Sequence, residues 1–122
     1  MKTFVVALAI AAAAGRQTQP PAPTEPRAAA PAGNAENGKK LFTSDGCYEC
    51  HGREAQGSTA TGPRLAPRPI AFAALSKYVR QPTGQMPPYT TKVVSDADQV
   101  DIYAFLQSRP APPPLESIQL LK

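Results

Sequence analysis

The sequence predicts a small all-α fold of about three main helices, and three observations predict it. Apolar residues recur at helical spacing in Ala71, Ala74, Leu75 and Tyr78 and again in Ile102, Phe105 and Leu106. A third segment, around Leu41 and Phe42, is bracketed by helix start and stop signals. No alternation of strands and helices of the βαβ kind appears. The unit between two proline-rich ends, 34–109, also falls under the ~80 residues below which a core alone seldom suffices. Such a unit needs a staple.

The 122 residues allow at most one small domain. Residues 1–14 read as a signal peptide. Lys2 gives a positive start, Thr3 to Ala14 are apolar, and Ala12-Ala13-Ala14 supplies a small-residue cleavage site before Gly15. The apolar stretch is shorter than the ~20 residues that span a bilayer. The alternative is an uncleaved anchor, which would keep the domain near a membrane. Export places the protein in the periplasm of a bacterium. Residues 15–33, with Pro20, Pro21, Pro23, Pro26 and Pro31, have no apolar period and read as an extended linker.

The first helix is expected from about Ala35 to Ser44. Asn34 is its N-cap, Glu36 sits in its first turn and Gly46 follows its end. Gly38, one turn before Leu41 and Phe42, leaves a flat spot. A mid-helix glycine costs up to ~1 kcal/mol relative to alanine, so a close helix contact there would give it a reason.

Cys47-Tyr48-Glu49-Cys50-His51 then gathers both cysteines and the only histidine of the chain. Two thiols at this spacing can add to the two vinyl groups of one porphyrin, and the next residue, His51, can supply an imidazole to its iron. A redox Cys-x-x-Cys needs no following histidine and belongs on a βαβ unit. A structural zinc site needs four ligands, one more than this set offers. A disulfide between Cys47 and Cys50 would close a very small loop. One covalent haem c is therefore the expected cofactor, with the helices wrapped around it, and it is the staple that the short domain needs.

Gly52 to Gly62 is polar and aperiodic, a loop that Gly62-Pro63-Arg64-Leu65 and Pro67 extend in a stiff form. A middle helix is expected from Pro69, suited to a first turn, to about Arg80, before Pro82. Gln81 to Val94 is a loop. In it Met86 precedes Pro87 and Pro88, which stiffen the backbone around a flexible thioether. Apart from Met1 it is the only methionine. A gap-filling core role is the plain alternative; with a haem motif upstream and no second histidine, ligation of the iron is favoured. The last helix starts at Ser95, with Asp98 completing a capping box, and runs to about Ser108. Residues 110–122 form a Pro-rich tail, a docking segment or a frayed end.

The net charge of +4 brings no basic stripe with interleaved aromatics, which argues against a nucleic-acid partner. From Arg53 to Lys92 the charges are Arg53, Arg64, Arg68, Lys77, Arg80 and Lys92 against Glu54 alone. Such a run is a solvated surface or a basic rim that steers docking to an acidic partner.

Taken together, these residues resemble the class I, single-haem c-type cytochromes of bacteria over about Ala35 to Ser108. The Cys-x-x-Cys-His lies early in the domain, Gly38 and Phe42 match the family's first-helix Gly-x-x-x-aromatic, and Phe105-Leu106 match its last-helix pair. The resemblance implies a small cytochrome c fold. It also implies that the Pro63 carbonyl accepts the Nδ1–H of His51 and that Met86, followed by a proline, is an axial ligand. The chain has no tryptophan, which some members use at a haem propionate; Arg64, Arg68, Tyr78, Arg80 and Lys92 are the candidates instead. The implied function is single-electron transfer by a His/Met-ligated haem, between redox partners such as a dehydrogenase donor and an oxidase or reductase acceptor. The implied protein is not itself an enzyme. The alternatives are a five-coordinate haem that senses a small ligand or acts on peroxide, and a fixed subunit of a dehydrogenase or oxidase complex.

Overall fold

The structure, a computed structural model, describes residues 30–121. The expected signal segment 1–14 and linker residues 15–29 lie outside the described residues. Four helices follow in order: α1 (Ala35–Ser44), α2 (Cys47–His51), α3 (Phe72–Arg80) and α4 (Asp96–Ser108). Two short 3-10 turns, Leu115–Ser117 and Gln119–Leu121, close the chain. The described residues contain no strand, only an isolated bridge between Ser58 and Gly62. No helix among them is long and apolar enough to cross a membrane.

α1 begins where its cap predicts. The Asn34 side chain accepts from the Asn37 N–H at 3.0 Å, and at the other end the Asp45 N–H donates to Leu41 O at 2.9 Å. α4 begins on a full capping box: Asp98 N–H donates to Ser95 Oγ at 3.1 Å and Ser95 N–H to Asp98 Oδ2 at 2.8 Å.

α1 crosses α4 at Gly38. A Cβ there would overlap the Asp101 carbonyl and lie 2.9 Å from the Ile102 nitrogen, so only a residue without one lets the two backbones meet. One turn on, the Phe42 and Phe105 rings pack with centroids 5.3 Å apart at 49°. The Asp101 carboxylate fixes the register by accepting from Asn34 N–H at 2.7 Å and from Asn37 Nδ2 at 2.8 Å. These hydrogen bonds hold its pKa below the ordinary value. Ile102, Phe105 and Leu106 are buried, with Phe42, Leu75, Val94 and Tyr103 completing the larger part of the core.

The expected start of the middle helix at Pro69 is corrected to Phe72. The Tyr103 hydroxyl donates to the Ile70 carbonyl at 3.1 Å and Pro69 is buried, so this stretch is held extended by α4. The helix face shifts accordingly. Of Ala71, Ala74, Leu75 and Tyr78 only Leu75 is buried; Phe72 and Val79 pack beside it, with Phe72 edge-on to Tyr103 at 5.3 Å.

The loop after α2 is stitched from within. Ala55 is fully buried, and its carbonyl accepts from Leu65 N–H at 2.9 Å and Ala66 N–H at 3.1 Å. Glu54 ties the loop to both long helices through Lys39 at 3.1 Å and through Arg109. In the tail, Leu115 and Leu120 stand exposed.

Candidate functional site

The Cys-x-x-Cys-His segment is itself helical, which the sequence reading missed. α2 has five residues between Gly46 and Gly52. At 3.6 residues per turn, positions i, i+3 and i+4 share one face, so Cys47, Cys50 and His51 are brought to one side. That spacing was the available signal. The absence of any apolar period hid it.

His51 is buried, and its Nδ1 lies 2.9 Å from the Pro63 carbonyl. A carbonyl can only accept, so Nδ1 carries a proton, and in the neutral ring that leaves the lone pair on Nε2. Nε2 has no hydrogen-bond partner among the described residues. Backbone and side chains around the pair fix it in place. Gly57 N–H donates to His51 O at 2.7 Å, and the Thr61 hydroxyl donates to Cys50 O at 2.7 Å. A Cβ on Gly62 would stand 3.1 Å from His51 Nδ1 and 3.0 Å from Cys50 O, so glycine lets the loop close on the ring.

Cys47, Cys50, His51, Pro63 and Met86 all line one cleft of about 790 Å³. Its walls are largely apolar, with Phe42, Leu75, Ile102 and Leu106 among them. Both thiols are free. Burial, and then the nearby Asp45 carboxylate, push the Cys47 thiol up to about 11, so it is neutral at ordinary pH. Met86 is half-buried and arrives on the loop between α3 and α4. Tyr89, on the same loop, also faces the cleft and donates its hydroxyl to Asp45 O at 3.0 Å. Of the residues considered for the cofactor's acidic groups, Arg64, Arg68 and Tyr78 line the cleft, whereas Arg80 and Lys92 do not. Among the described residues no three His, Cys, Asp or Glu side chains gather as a metal cluster, so the motif offers no zinc geometry.

A family model described as cytochrome c oxidase, cbb3-type, subunit III matches residues 33–106. The chain belongs to this family of c-type cytochromes. No solved structure matches it. The cytochrome domain therefore uses haem c and its iron for electron transfer, as the domains of this family do.

The residues present fit that group. The cleft lies within the ~300–1,000 Å³ typical of small-molecule and cofactor sites. Two thiols, an imidazole with a free lone pair and a thioether open into it, and two arginines, Arg64 and Arg68, are available to acidic substituents.

Proposed function

We propose that this cytochrome is a single-electron carrier that holds one covalent haem c through Cys47 and Cys50, with His51 and Met86 as the axial ligands of the iron. When bound, the haem supplies a one-electron ferric/ferrous couple. The chain's own residues do the rest. The Pro63 carbonyl orients His51 and, by accepting from Nδ1, raises its basicity toward the iron. Met86 would supply a thioether as the second ligand, which favours the ferrous state relative to a second imidazole and would leave no place for substrate. The apolar walls exclude water, and Arg64 and Arg68 offset the negative charge of the propionates. The single observation that carries this reading is the convergence of His51, in its Pro63-bound tautomer, and Met86 on the cleft that both cysteines border.

The partners in this reading are redox proteins, a dehydrogenase on one side and an oxidase or reductase on the other. Residues 1–14 direct the protein to the periplasm, where the haem is attached. A mass spectrum of the mature holoprotein tests both points: the expected mass is that of one added haem on a chain lacking the leader. Acid–acetone extraction that removes all colour from the polypeptide would refute covalent attachment. The far-red absorption band that bound methionine sulfur gives a ferric haem tests the second ligand.

The matched model's description names an oxidase subunit, and this favours a second reading in which the domain works as a fixed member of a redox complex. Co-purification with a larger assembly at stoichiometric yield would select it over a free shuttle.

A further inference from the structure

Arg80 is the most heavily bonded side chain near the cleft, yet it does not line it. Its guanidinium sits at the C-terminal end of α3, with the side chain only 19% exposed. Nη1 donates to the Tyr89 carbonyl at 2.9 Å and to the Val94 carbonyl at 2.7 Å. Nη2 donates to Asp96 Oδ1 at 2.7 Å. The Gln99 amide is buried. With its oxygen turned toward Arg80 it accepts from Nη2 at 3.1 Å, and its nitrogen donates to the Ser76 hydroxyl. One planar fork thus joins α3, two carbonyls of the loop and the first turn of α4, which is what a guanidinium can do and an ammonium cannot.

The two carbonyls lie in the half of the loop that follows Met86. Tyr89 is held further by its own N–H to Val79 O at 3.0 Å and by its hydroxyl to Asp45 O. The half that contains Met86 has a much lighter attachment, the Tyr78 hydroxyl to Thr83 O at 3.0 Å. Met86 is therefore placed by what anchors the residues just after it.

The geometry points to Arg80 as the positioning residue for Met86: its bonds to Tyr89 O and Val94 O hold the thioether over the iron and set how often it lets go. This rests on Met86 being the axial ligand. Removing charge-assisted donors from backbone carbonyls leaves those acceptors unpaired in a partly buried place and frees the loop to lift. The fold itself, built on the α1–α4 crossing, keeps its contacts.

The test uses the ferric, full-length holoprotein and imidazole as an external ligand. At saturating imidazole the observed rate reports the detachment of the internal ligand. Arg80→Gln is expected to keep the far-red band and the helical circular dichroism while raising that limiting rate at least about tenfold, as the loss of one or two charged hydrogen bonds predicts. Arg80→Lys should fall between Arg80→Gln and the parent. Glu54→Gln, which loosens a surface contact elsewhere, should leave the rate unchanged. If Arg80→Gln does not fold, Asp96→Asn, which weakens the third bond that holds the same guanidinium in place, should still raise the rate. An unchanged limiting rate in a folded Arg80→Gln protein, or in Asp96→Asn where that stands in for it, overturns the inference. If the parent itself lacks the band and binds imidazole as fast as Met86→Ala, the ligand assignment fails, and the role of Arg80 falls with it.

Discussion

The Asp101 carbonyl of α4 occupies the space in which a side chain on Gly38 of α1 would begin. Backbone meets backbone at this point, so neither partner can swing aside as a flexible side chain would. Gly38→Ala should therefore destabilise the holoprotein although alanine is the better helix former. Overpacking of this kind costs about 1–3 kcal/mol, and contact with backbone puts this site toward the upper end. Thermal unfolding followed by circular dichroism measures it; an unchanged midpoint would show that the helices can part without penalty.

Met86→Ala should lower the reduction potential and let carbon monoxide bind the ferrous iron readily. Met86→His should give a six-coordinate haem, again at a lower potential than the parent. The far-red band of the ferric protein should vanish in both. A parent that already binds carbon monoxide quickly, with a potential that Met86→Ala leaves alone, would make Met86 a core residue and favour the ligand-sensing alternative.

Gly62→Ala should disturb His51, the other ligand in the proposed reading. Its Cβ would press on His51 Nδ1 and Cys50 O at 3.1 and 3.0 Å, so the ring or the Pro63 carbonyl must shift by a few tenths of an ångström. A weaker Nδ1–H bond makes the imidazole less basic and a poorer partner for ferric iron. The potential should rise, opposite in sign to the Met86 variants. Potentiometric titration of the three proteins side by side reads this directly.

Glu54 gives the domain a small acid sensitivity. Arg109 and then Lys39 hold its pKa below the ordinary 4.5. A depressed carboxylate contributes stability above its unfolded pKa and loses it as the pH falls through the lower, folded value. The window is thus below about pH 4.5. The group is half exposed, and screening keeps such a pair to about 1 kcal/mol at most. Glu54→Gln should flatten the fall in melting temperature below that pH and weaken the protein slightly at neutral pH. An identical acid slope in the variant would show that the network contributes nothing.

What the chain states openly and what it hides follow from the range of the interactions. The caps of α1 and α4 are local, and Asn34, Ser95 and Asp98 spell them out. Gly38 declared a close contact because a glycine in mid-helix has little other use. The start of α3 could not be read, because a hydroxyl 33 residues away, on Tyr103, takes the Ile70 carbonyl and keeps Pro69 out of the helix. α2 was hidden by its lack of apolar residues. In the site, the two thiols and the imidazole were legible from residue type alone. Arg80 read only as one of several cations, since its principal acceptors are backbone carbonyls, which no side-chain pattern announces.

His51 and Met86, the two ligands of the proposed reading, differ in how much chain must exist before each is in place. His51 receives its orienting carbonyl from a residue 12 positions on, across a loop whose closure entropy is small. Met86 depends on α3, on Arg80 and on the first turn of α4. The Cys-x-x-Cys-His half of the site can thus be in place on a chain whose C-terminal half is still unfolded, so in the proposed reading attachment of the haem needs no more than an open polypeptide. In that reading, closure of the methionine loop then comes last and marks the end of assembly.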